Sequence, residues 1–223
     1  MTGVRPARSI DGPDVFAQQF NVSRETVEKL NTYASLLKQW QKTINLVSPA
    51  TLDAVWHRHM ADSAQLVSLA AAGALTWVDL GSGAGFPGLV LAILMRERPG
   101  LRVTLVESDA RKVAFLREVV RQTALASAVD ICHARIEIAS THTRVGEADI
   151  ITARALAPLS KLLGLCQPFF GPNTVALLLK GRDGEREADE ARADWQFEAN
   201  WVPSVTDVEG RIAVITKLQA HIR

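Results

Sequence analysis

Cysteine and net charge are both scarce in this chain, and each shortage excludes a class of protein. Cys132 and Cys166 are the only cysteines among 223 residues, and both lie in or beside apolar runs. This usage is typical of reduced core thiols in a cytosolic protein, and the sequence has no Cys-x-x-Cys or Cys/His cluster that would indicate zinc. The formal net charge is +1, so any affinity for nucleic acid has to come from a local basic patch.

The sequence also lacks an uninterrupted apolar run long enough to cross a membrane. Residues 66–95 carry a single charge, Asp79, but five glycines and Pro87 interrupt them, whereas a bilayer span needs about 20 consecutive apolar residues. The first residues contain no apolar signal core, which indicates that the protein is not exported. We therefore expect a cytoplasmic protein without a membrane partner. Since the sequence shows no long exposed apolar stripe, we also expect a monomer.

The character of the sequence changes near residue 74, and this predicts three parts. Residues 1–20 begin rich in Gly, Pro and Arg and are expected to form a flexible N-terminal extension. In residues 21–73, Ser23 can cap a helix in which apolar residues recur at helical spacing, so this part is expected to form a helical cap. Residues 74–223 alternate short apolar runs with helical patterns, which predicts an α/β domain with a parallel sheet covered on both faces.

The predicted elements of the last part follow from these runs. Strands are expected over residues 75–80, 102–107, 128–132, 149–153, 174–180, 195–202 and 211–218. Helices are expected over residues 88–98, 109–125, 158–170 and 185–195. No helical pattern separates the last two strands, so they are expected to form an antiparallel hairpin.

A glycine-rich segment, VDLGSGAGFPG, occupies residues 78–88. Its glycines follow a buried strand and open a helix, where the absence of a β-carbon lets the backbone turn sharply and approach a ligand. Pro87 suits the first turn of the coming helix. Loops of this kind bind two different nucleotides, a dinucleotide and S-adenosylmethionine, and the loop alone does not choose between them.

Two acidic residues near the loop bear on that choice. Glu107 ends the second strand, where an acidic side chain accepts hydrogen bonds from ribose hydroxyls in either class. Asp79 precedes the first glycine, where its carboxylate would repel a pyrophosphate but attract the cationic ammonium and sulfonium of S-adenosylmethionine. The chain also has no substrate domain of the size that dehydrogenases need. The sequence therefore favours the methyl donor over NAD.

Several further segments carry a resemblance to a known family. The chain resembles the small-subunit ribosomal RNA methyltransferase G family, also called glucose-inhibited division protein B, from about Val27 to Leu218. The segments that carry the likeness are YASLLKQWQKTINLVS, RHMADS, VDLGSGAGFPG, ESDARKVAFLREV, HARIE, ITARALA and LLKG. One departure is Ala153, where the family often has serine before the arginine.

The resemblance implies both the fold and the reaction. The expected fold is a class I, Rossmann-like methyltransferase whose seven-stranded, mostly parallel sheet has an antiparallel last strand. The expected reaction transfers a methyl group from S-adenosylmethionine to N7 of one guanine in a loop of the decoding region of 16S rRNA. The expected partner is 16S rRNA or the small ribosomal subunit, and not DNA.

The resemblance and the loop together predict the donor site. In that family, positions matching Gly81, Phe86, Ile136, Glu137 and Arg154 contact the methyl donor. The full set expected to hold the donor is Asp79, Gly81, Gly83, Gly85, Phe86, Glu107, Ile136, Glu137 and Arg154.

A second set of residues is expected to position RNA. Arg135, Arg154 and Lys180 each follow the carboxyl end of a predicted strand, where open α/β sheets bind ligands, and they match the family's basic, phosphate-facing set. Arg58 and His59 are expected to face the donor or the RNA, with Asp62 orienting His59 from the same helical face. No general base is expected, because N7 of guanine carries its own lone pair.

Other interpretations stay open at this point. His57 and His59 could suggest a metal, but two histidines without a third ligand support one poorly. The enzyme could instead methylate a small molecule or a protein, which would keep the fold and the donor. A non-catalytic RNA-binding or ribosome-assembly protein is a third interpretation.

Overall fold

The computed structural model describes residues 9–221. Its α-helices are α1 (Pro13–Phe20), α2 (Arg24–Trp40), α3 (Pro49–Leu52), α4 (Asp62–Ala64), α5 (Gly88–Met95), α6 (Ala110–Gln122), α7 (Ala139–Val145), α8 (Leu159–Cys166) and α9 (Gly184–Ala191). A π-helix spans Trp56–Ala61, and 3-10 helices span Gln65–Leu69 and Gln167–Phe169. The strands are β1 (Thr76–Leu80), β2 (Arg102–Glu107), β3 (Val129–His133), β4 (Ala148–Arg154), β5 (Phe170–Lys180), β6 (Trp195–Pro203) and β7 (Arg211–Ala220).

The seven strands form one mixed sheet in the order β3-β2-β1-β4-β5-β7-β6. Strands β1 to β5 are parallel, and β7 lies antiparallel between β5 and β6. The predicted α/β class, the mostly parallel sheet and the closing antiparallel hairpin are therefore confirmed. The strand order reverses between β1 and β4, and a ligand crevice is expected outside the carboxyl ends of strands at such a point.

Both faces of the central strands are buried, as the apolar runs predicted. Trp77, Leu105 and Ile150 belong to the apolar cluster that contains α2, α5 and α6, while Val78 and Val106 belong to the cluster on the other face, with α8. Successive strand residues point to opposite faces, so a strand covered by helices on both sides needs an apolar residue at nearly every position.

The helical part before β1 packs into the first of these clusters. The Ser23 hydroxyl accepts a hydrogen bond from the Thr26 backbone N–H at 3.2 Å, which is the predicted cap of α2. Leu30, Tyr33 and Leu37 are fully buried in the core. This stripe of α2 therefore covers the sheet domain, and the boundary proposed at residue 73 stays a prediction.

The N-terminal extension departs from expectation. The prediction of a flexible segment over residues 1–20 is wrong for residues 13–20, which form α1, while residues 1–8 lie outside the described part of the chain. Pro13 starts the helix, and Phe16 is fully buried with its ring centroid 4.7 Å from that of Phe20 and 5.3 Å from that of Trp56. Burial of these aromatic rings outweighs the Gly/Pro-rich composition that precedes them.

Some helix boundaries also differ from the sequence-based prediction. The four predicted helices of the last part end earlier, and α7 was not predicted. The helical cap expected over residues 21–73 is not regular α-helix throughout, because residues 56–69 form a π-helix followed by short α and 3-10 turns. This irregular stretch brings two histidines and an arginine to the carboxyl edge of the sheet. π-helical turns occur frequently at functional sites.

Candidate active site

The glycine loop between β1 and α5 adopts a backbone that glycine favours. Gly81, Gly83 and Gly85 have φ values of +66°, +57° and +90°. A β-carbon on Gly85 would lie 2.4 Å from a methyl carbon of Leu89, whereas one on Gly83 would meet nothing closer than the Gly81 carbonyl at 3.8 Å. Gly85 is therefore needed for packing, while Gly83 presents an open edge of backbone.

Asp79 lies beneath this loop. It is 1% exposed, and its carboxylate accepts hydrogen bonds from the Thr152 hydroxyl at 2.7 Å and from the Gly88 backbone N–H at 3.3 Å. Burial raises the pKa of Asp79 to about 6, and these hydrogen bonds oppose the rise. The carboxylate thus joins β1, β4 and the start of α5. Its predicted attraction to a bound cation stays a prediction.

Glu107 holds the other side of the loop. One carboxylate oxygen accepts from the Gly83 backbone N–H and the other from the Asp109 backbone N–H, both at 2.8 Å. Each oxygen keeps further lone-pair capacity, so Glu107 can also accept hydroxyl hydrogen bonds. Its backbone carbonyl accepts from Ala134 at 3.1 Å, which brings the end of β3 alongside.

Three predicted site residues follow β3 at this edge of the sheet. Arg135 is exposed and lies 3.6 Å from the Glu137 carboxylate, while Ile136 is buried between them. Together with Glu107, this segment forms the part of the predicted donor site nearest β2 and β3.

A cavity of about 650 Å³ opens at the carboxyl ends of β1, β4 and β5, within the size range of small-ligand sites. The predicted site residues in its wall are Arg58, His59, Gly81, Gly83, Phe86, Arg154 and Lys180. The structure therefore brings most of the predicted RNA-positioning set together with the glycine loop. Arg135 lies further along the same edge of the sheet.

An aromatic cluster fixes the loop against the helical part. The Phe86 ring stacks with the Tyr33 ring at a centroid distance of 5.0 Å and with the His59 ring at 4.8 Å, and the Arg154 guanidinium carbon lies 5.0 Å from the Phe86 centroid. The Tyr33 hydroxyl donates a hydrogen bond to the Ala84 carbonyl. Burial raises the pKa of Tyr33 well above its ordinary value, so the phenol stays protonated.

His59 is buried and neutral at the cavity wall. Its Nε2 lies 2.9 Å from the Thr51 hydroxyl, while its buried Nδ1 has no hydrogen-bond partner within residues 9–221. The predicted pairing with Asp62 is therefore wrong, because the Asp62 carboxylate instead accepts from Thr206 at 2.7 Å and lies 3.6 Å from Arg154. Burial, reinforced by nearby arginines, lowers the pKa of His59 to about 3.

The two histidines of the π-helix have different hydrogen-bond partners. The His57 ring accepts from the Ile10 backbone N–H at 3.2 Å and lies 2.9 Å from the Thr206 carbonyl, whereas His59 contacts Thr51. In the described part of the chain, no group of three or more His, Cys, Asp or Glu side chains is placed to hold a metal ion. Nor is any helix between residues 9 and 221 long and apolar enough to cross a membrane.

The burial of neutral His59 predicts acid sensitivity. Its folded pKa of about 3 lies below its ordinary 6.5, so the unfolded chain binds more protons between these values and stability falls as pH drops from 6.5 toward 3. When the pH falls from 7 to 5, the free energy of unfolding should fall by about 2 kcal/mol more in the original protein than in His59→Gln. Denaturant unfolding at both pH values measures this difference.

The raised pKa of Asp79 acts in the opposite direction, since the folded state then binds its proton more readily as pH falls below 6. This contribution is present in both proteins and largely cancels in the comparison. An identical pH dependence for His59→Gln and the original chain would contradict a buried neutral imidazole.

Three of the cations that line the cavity are held by fixed contacts. Lys180 lies 2.6 Å from Glu187 and Arg58 lies 2.9 Å from Asp207, while Arg154 donates to the Arg58 carbonyl at 3.1 Å. The Lys180 and Arg154 side chains are only 10% and 19% exposed. These contacts fix the direction of each charge before any ligand binds.

Sequence reasoning missed several residues of the wall. Arg211 begins β7 and pairs in register with Lys180, so it enters the cavity only because β7 inserts antiparallel beside β5. Ser204 and Asp207 reach the wall from the β6–β7 connection, which also contacts Gln65 and Asp62. The sequence does show a basic residue, Arg211, at the start of the last strand. Without the strand order, however, it could not be assigned to the cavity.

The strand order, the left-handed glycine loop after β1 and the acidic residue closing β2 define a class I, Rossmann-like methyltransferase. The fold resembles the solved structure of the mitomycin 7-O-methyltransferase MmcR, with a TM-score of 0.56 and 17% sequence identity over 96% of this chain and 73% of that one. A likeness at this identity shows the fold alone.

Sequence comparison defines the family more closely. Residues 26–215 match the family described as rRNA small subunit methyltransferase G. A ribosomal RNA small subunit methyltransferase G of Parvibaculum lavamentivorans is 49% identical over 93% of this chain and 92% of its own length, and one of Methylorubrum populi is 50% identical over 90% and 92%. The chain belongs to the rRNA small subunit methyltransferase G family.

Proposed function

We propose that this protein transfers a methyl group from S-adenosylmethionine to N7 of guanine 527 in 16S rRNA. The observation that carries the proposal is the continuity of one site. A glycine loop anchored by Glu107 opens into a cavity whose far wall holds Arg154 and Lys180. The first part suits a nucleoside with a cationic amino-acid end, and the second suits an anionic substrate.

The residues present fit the donor. The Gly83 edge is open to approach, Glu107 can accept from ribose hydroxyls, and Arg154 supplies a guanidinium that can pair with a carboxylate. S-adenosylmethionine, when bound, supplies a methyl group on a sulfonium. The residues Asp79, Gly81, Gly85, Phe86, Ile136 and Glu137 complete the proposed donor site.

The chain's own contribution to the reaction is alignment. Guanine N7 has a lone pair and loses no proton on methylation, so no side chain has to act as a general base. The product ring is cationic, so Arg154, Lys180 and Arg135 act best on phosphate, on a carboxylate or on guanine O6 rather than at N7. Buried Phe86 of the loop stacks on Tyr33 and His59 of the helical part, and this keeps the wall of the cavity in place.

Access to N7 sets the form of the substrate. N7 lies on the major-groove edge, which is too deep and narrow in A-form RNA for side chains to reach. The target guanine therefore has to lie in a loop or turn outward into the cavity. We place the reaction in the cytoplasm, where ribosomal subunits are assembled, and propose that a single copy of the chain suffices.

Calorimetry tests the donor part of this proposal. Purified protein should bind S-adenosylhomocysteine, the demethylated product, and should not bind NAD under the same conditions. Binding of NAD without binding of S-adenosylhomocysteine would overturn the choice between the two nucleotides that share glycine loops.

A lysine substitution tests the RNA part. Lys180→Met removes the ammonium and leaves Glu187 bonded to the Leu159 backbone N–H at 2.7 Å. Methyl transfer to small subunits should fall at least about tenfold, since a positioned charge on the substrate is lost, while S-adenosylhomocysteine affinity should change less than about threefold. Lys161→Met, at an exposed lysine of α8, is the control.

The two readouts separate the alternatives. Equal loss of transfer and of S-adenosylhomocysteine affinity would assign Lys180 to the donor. Unchanged transfer to RNA in Lys180→Met would contradict an RNA role for this lysine.

A further inference from the structure

A second cavity of about 420 Å³ opens beside the first, between the end of α2 and the start of α6. Its wall is formed by Gln41, Lys42, Thr43, Ile44, Asn45, Asp109, Arg111 and Lys112. Lys112 lines both cavities, so the second, here called the α2–α6 groove, adjoins the candidate active site. The proposed reaction assigns no role to this groove.

The three cations of the groove are less tightly held than Lys180 and Arg58 of the candidate active site. Within residues 9–221, the Lys42 and Lys112 side chains make no ion pair or hydrogen bond. The Arg111 side chain is 73% exposed, and its contact with the Asp109 carboxylate is long, at 3.6 Å. By contrast, Lys180 and Arg58 are each paired with a carboxylate at 2.9 Å or less.

The single carboxylate of the groove is already engaged. Asp109 caps α6, accepting from the Arg111 backbone N–H at 2.8 Å and the Lys112 backbone N–H at 3.3 Å. Three cationic side chains against one carboxylate leave the groove more positive than the whole chain, whose net charge is +1. The groove is therefore a local basic patch of the kind that the composition requires for binding nucleic acid.

The groove is also preformed. The Gln41 side chain donates to the Val47 carbonyl at 2.9 Å and accepts from the Leu46 and Val47 backbone N–H groups at 3.0 Å. These bonds fix the loop that carries Lys42 against α2. The walls are mostly polar, which suits a hydrated phosphate better than an apolar partner.

We propose that the α2–α6 groove binds the phosphate backbone of the RNA strand that flanks the target nucleotide, through Lys42, Arg111 and Lys112. The inference rests on the proposed function, since it takes RNA as the substrate. Because Lys112 lines both cavities, one strand can enter the active site and continue along the groove. Contacts of this kind position a strand without reading its bases.

A triple variant, Lys42→Ala with Arg111→Ala and Lys112→Ala, tests the groove. Its affinity for the small subunit, measured by filter binding, should fall roughly 10- to 100-fold, and the slope of log affinity against log salt should shrink by about 2. Its affinity for S-adenosylhomocysteine should stay within about twofold of the original, as expected for contacts to the RNA backbone alone.

The matched control also removes three positive charges, from positions of α2 and α6 outside the groove. This control combines Arg24→Ala, at the first residue of α2, with Arg117→Ala and Arg121→Ala, in the second half of α6. It should leave both affinities and the salt slope unchanged. Lys42→Glu should weaken RNA binding more than Lys42→Ala, because it reverses the charge.

Three outcomes would contradict the proposal that the groove binds the RNA backbone. The first is equal RNA affinity of the two triple variants, and the second is a matching loss of S-adenosylhomocysteine affinity in the groove variant. The third is a loss of affinity for assembled subunits but not for naked 16S rRNA, which would assign the groove to a ribosomal protein. The original protein could fail to methylate small subunits while the groove variants still lose salt-dependent RNA binding. That result would contradict the proposed reaction but support RNA binding by the groove.

Discussion

Replacing Gly83 by aspartate is expected to abolish methyl transfer while the protein stays folded. The Gly83 backbone has φ +57°, and a β-carbon there would clash with no atom at the edge of the cavity, since its nearest neighbour is the Gly81 carbonyl at 3.8 Å. An aspartate would therefore put a carboxylate where the donor is proposed to bind. Transfer should fall by at least about a hundredfold, since displacement of the reacting groups by an ångström costs that much, and S-adenosylhomocysteine binding should be lost.

The fold should tolerate the change at modest cost. A left-handed backbone costs an L-residue about 1–2 kcal/mol, and aspartate is among the residues that accept it. Gly73→Asp is the control, because it adds the same charge at an exposed glycine where a β-carbon would meet no atom within 4 Å. Undiminished transfer by folded Gly83→Asp would show that the donor does not lie on this loop.

Removing the Arg154 guanidinium is expected to have the second largest effect. Arg154 is the last residue of β4, lines the cavity, and lies against Asp62 and the Phe86 ring. In Arg154→Met, a mostly buried cation is lost from the proposed donor site, and such a loss typically costs about 2–5 kcal/mol. S-adenosylhomocysteine affinity should fall by about 30-fold or more, with transfer falling at least as far.

The conservative variant separates charge from shape. Arg154→Lys keeps a positive charge but not the planar fork that pairs with a carboxylate through two hydrogen bonds, so its affinity should lie between those of the Met variant and the original. Asp62 keeps its bonds to Thr206 and Gln65 in both variants, which helps to preserve the fold. Calorimetry that found Arg154→Met binding the ligand as tightly as the original would contradict a donor role.

Local patterns in the sequence predicted the sheet and the position of the glycine loop. Strand β1 and the glycine loop could be predicted because a buried apolar run and closely spaced glycines each have one dominant physical explanation. Glu107 could be predicted because it closes β2 directly after an apolar run. In the structure it anchors the loop through the Gly83 N–H, a contact that the ribose expectation did not include.

The remaining part of the site depends on contacts between distant residues. Asp62 bonds to Thr206, 144 positions away, and Arg211 lies beside Lys180 only through the antiparallel insertion of β7. His59 faces Thr51 rather than Asp62 because residues 56–61 form a π-helix, in which the helical spacing used for the prediction does not hold. No local pattern encodes these pairings.

Mass mapping of 16S rRNA tests the central claim most directly. Small subunits from cells lacking the modification would be incubated with the protein and S-adenosylmethionine, and the RNA digested and analysed. The account predicts one added methyl group, at N7 of guanine 527, and none when Gly83→Asp replaces the original protein. RNA that remained unmodified in naked and assembled form, or that gained its methyl group on another base, would contradict it.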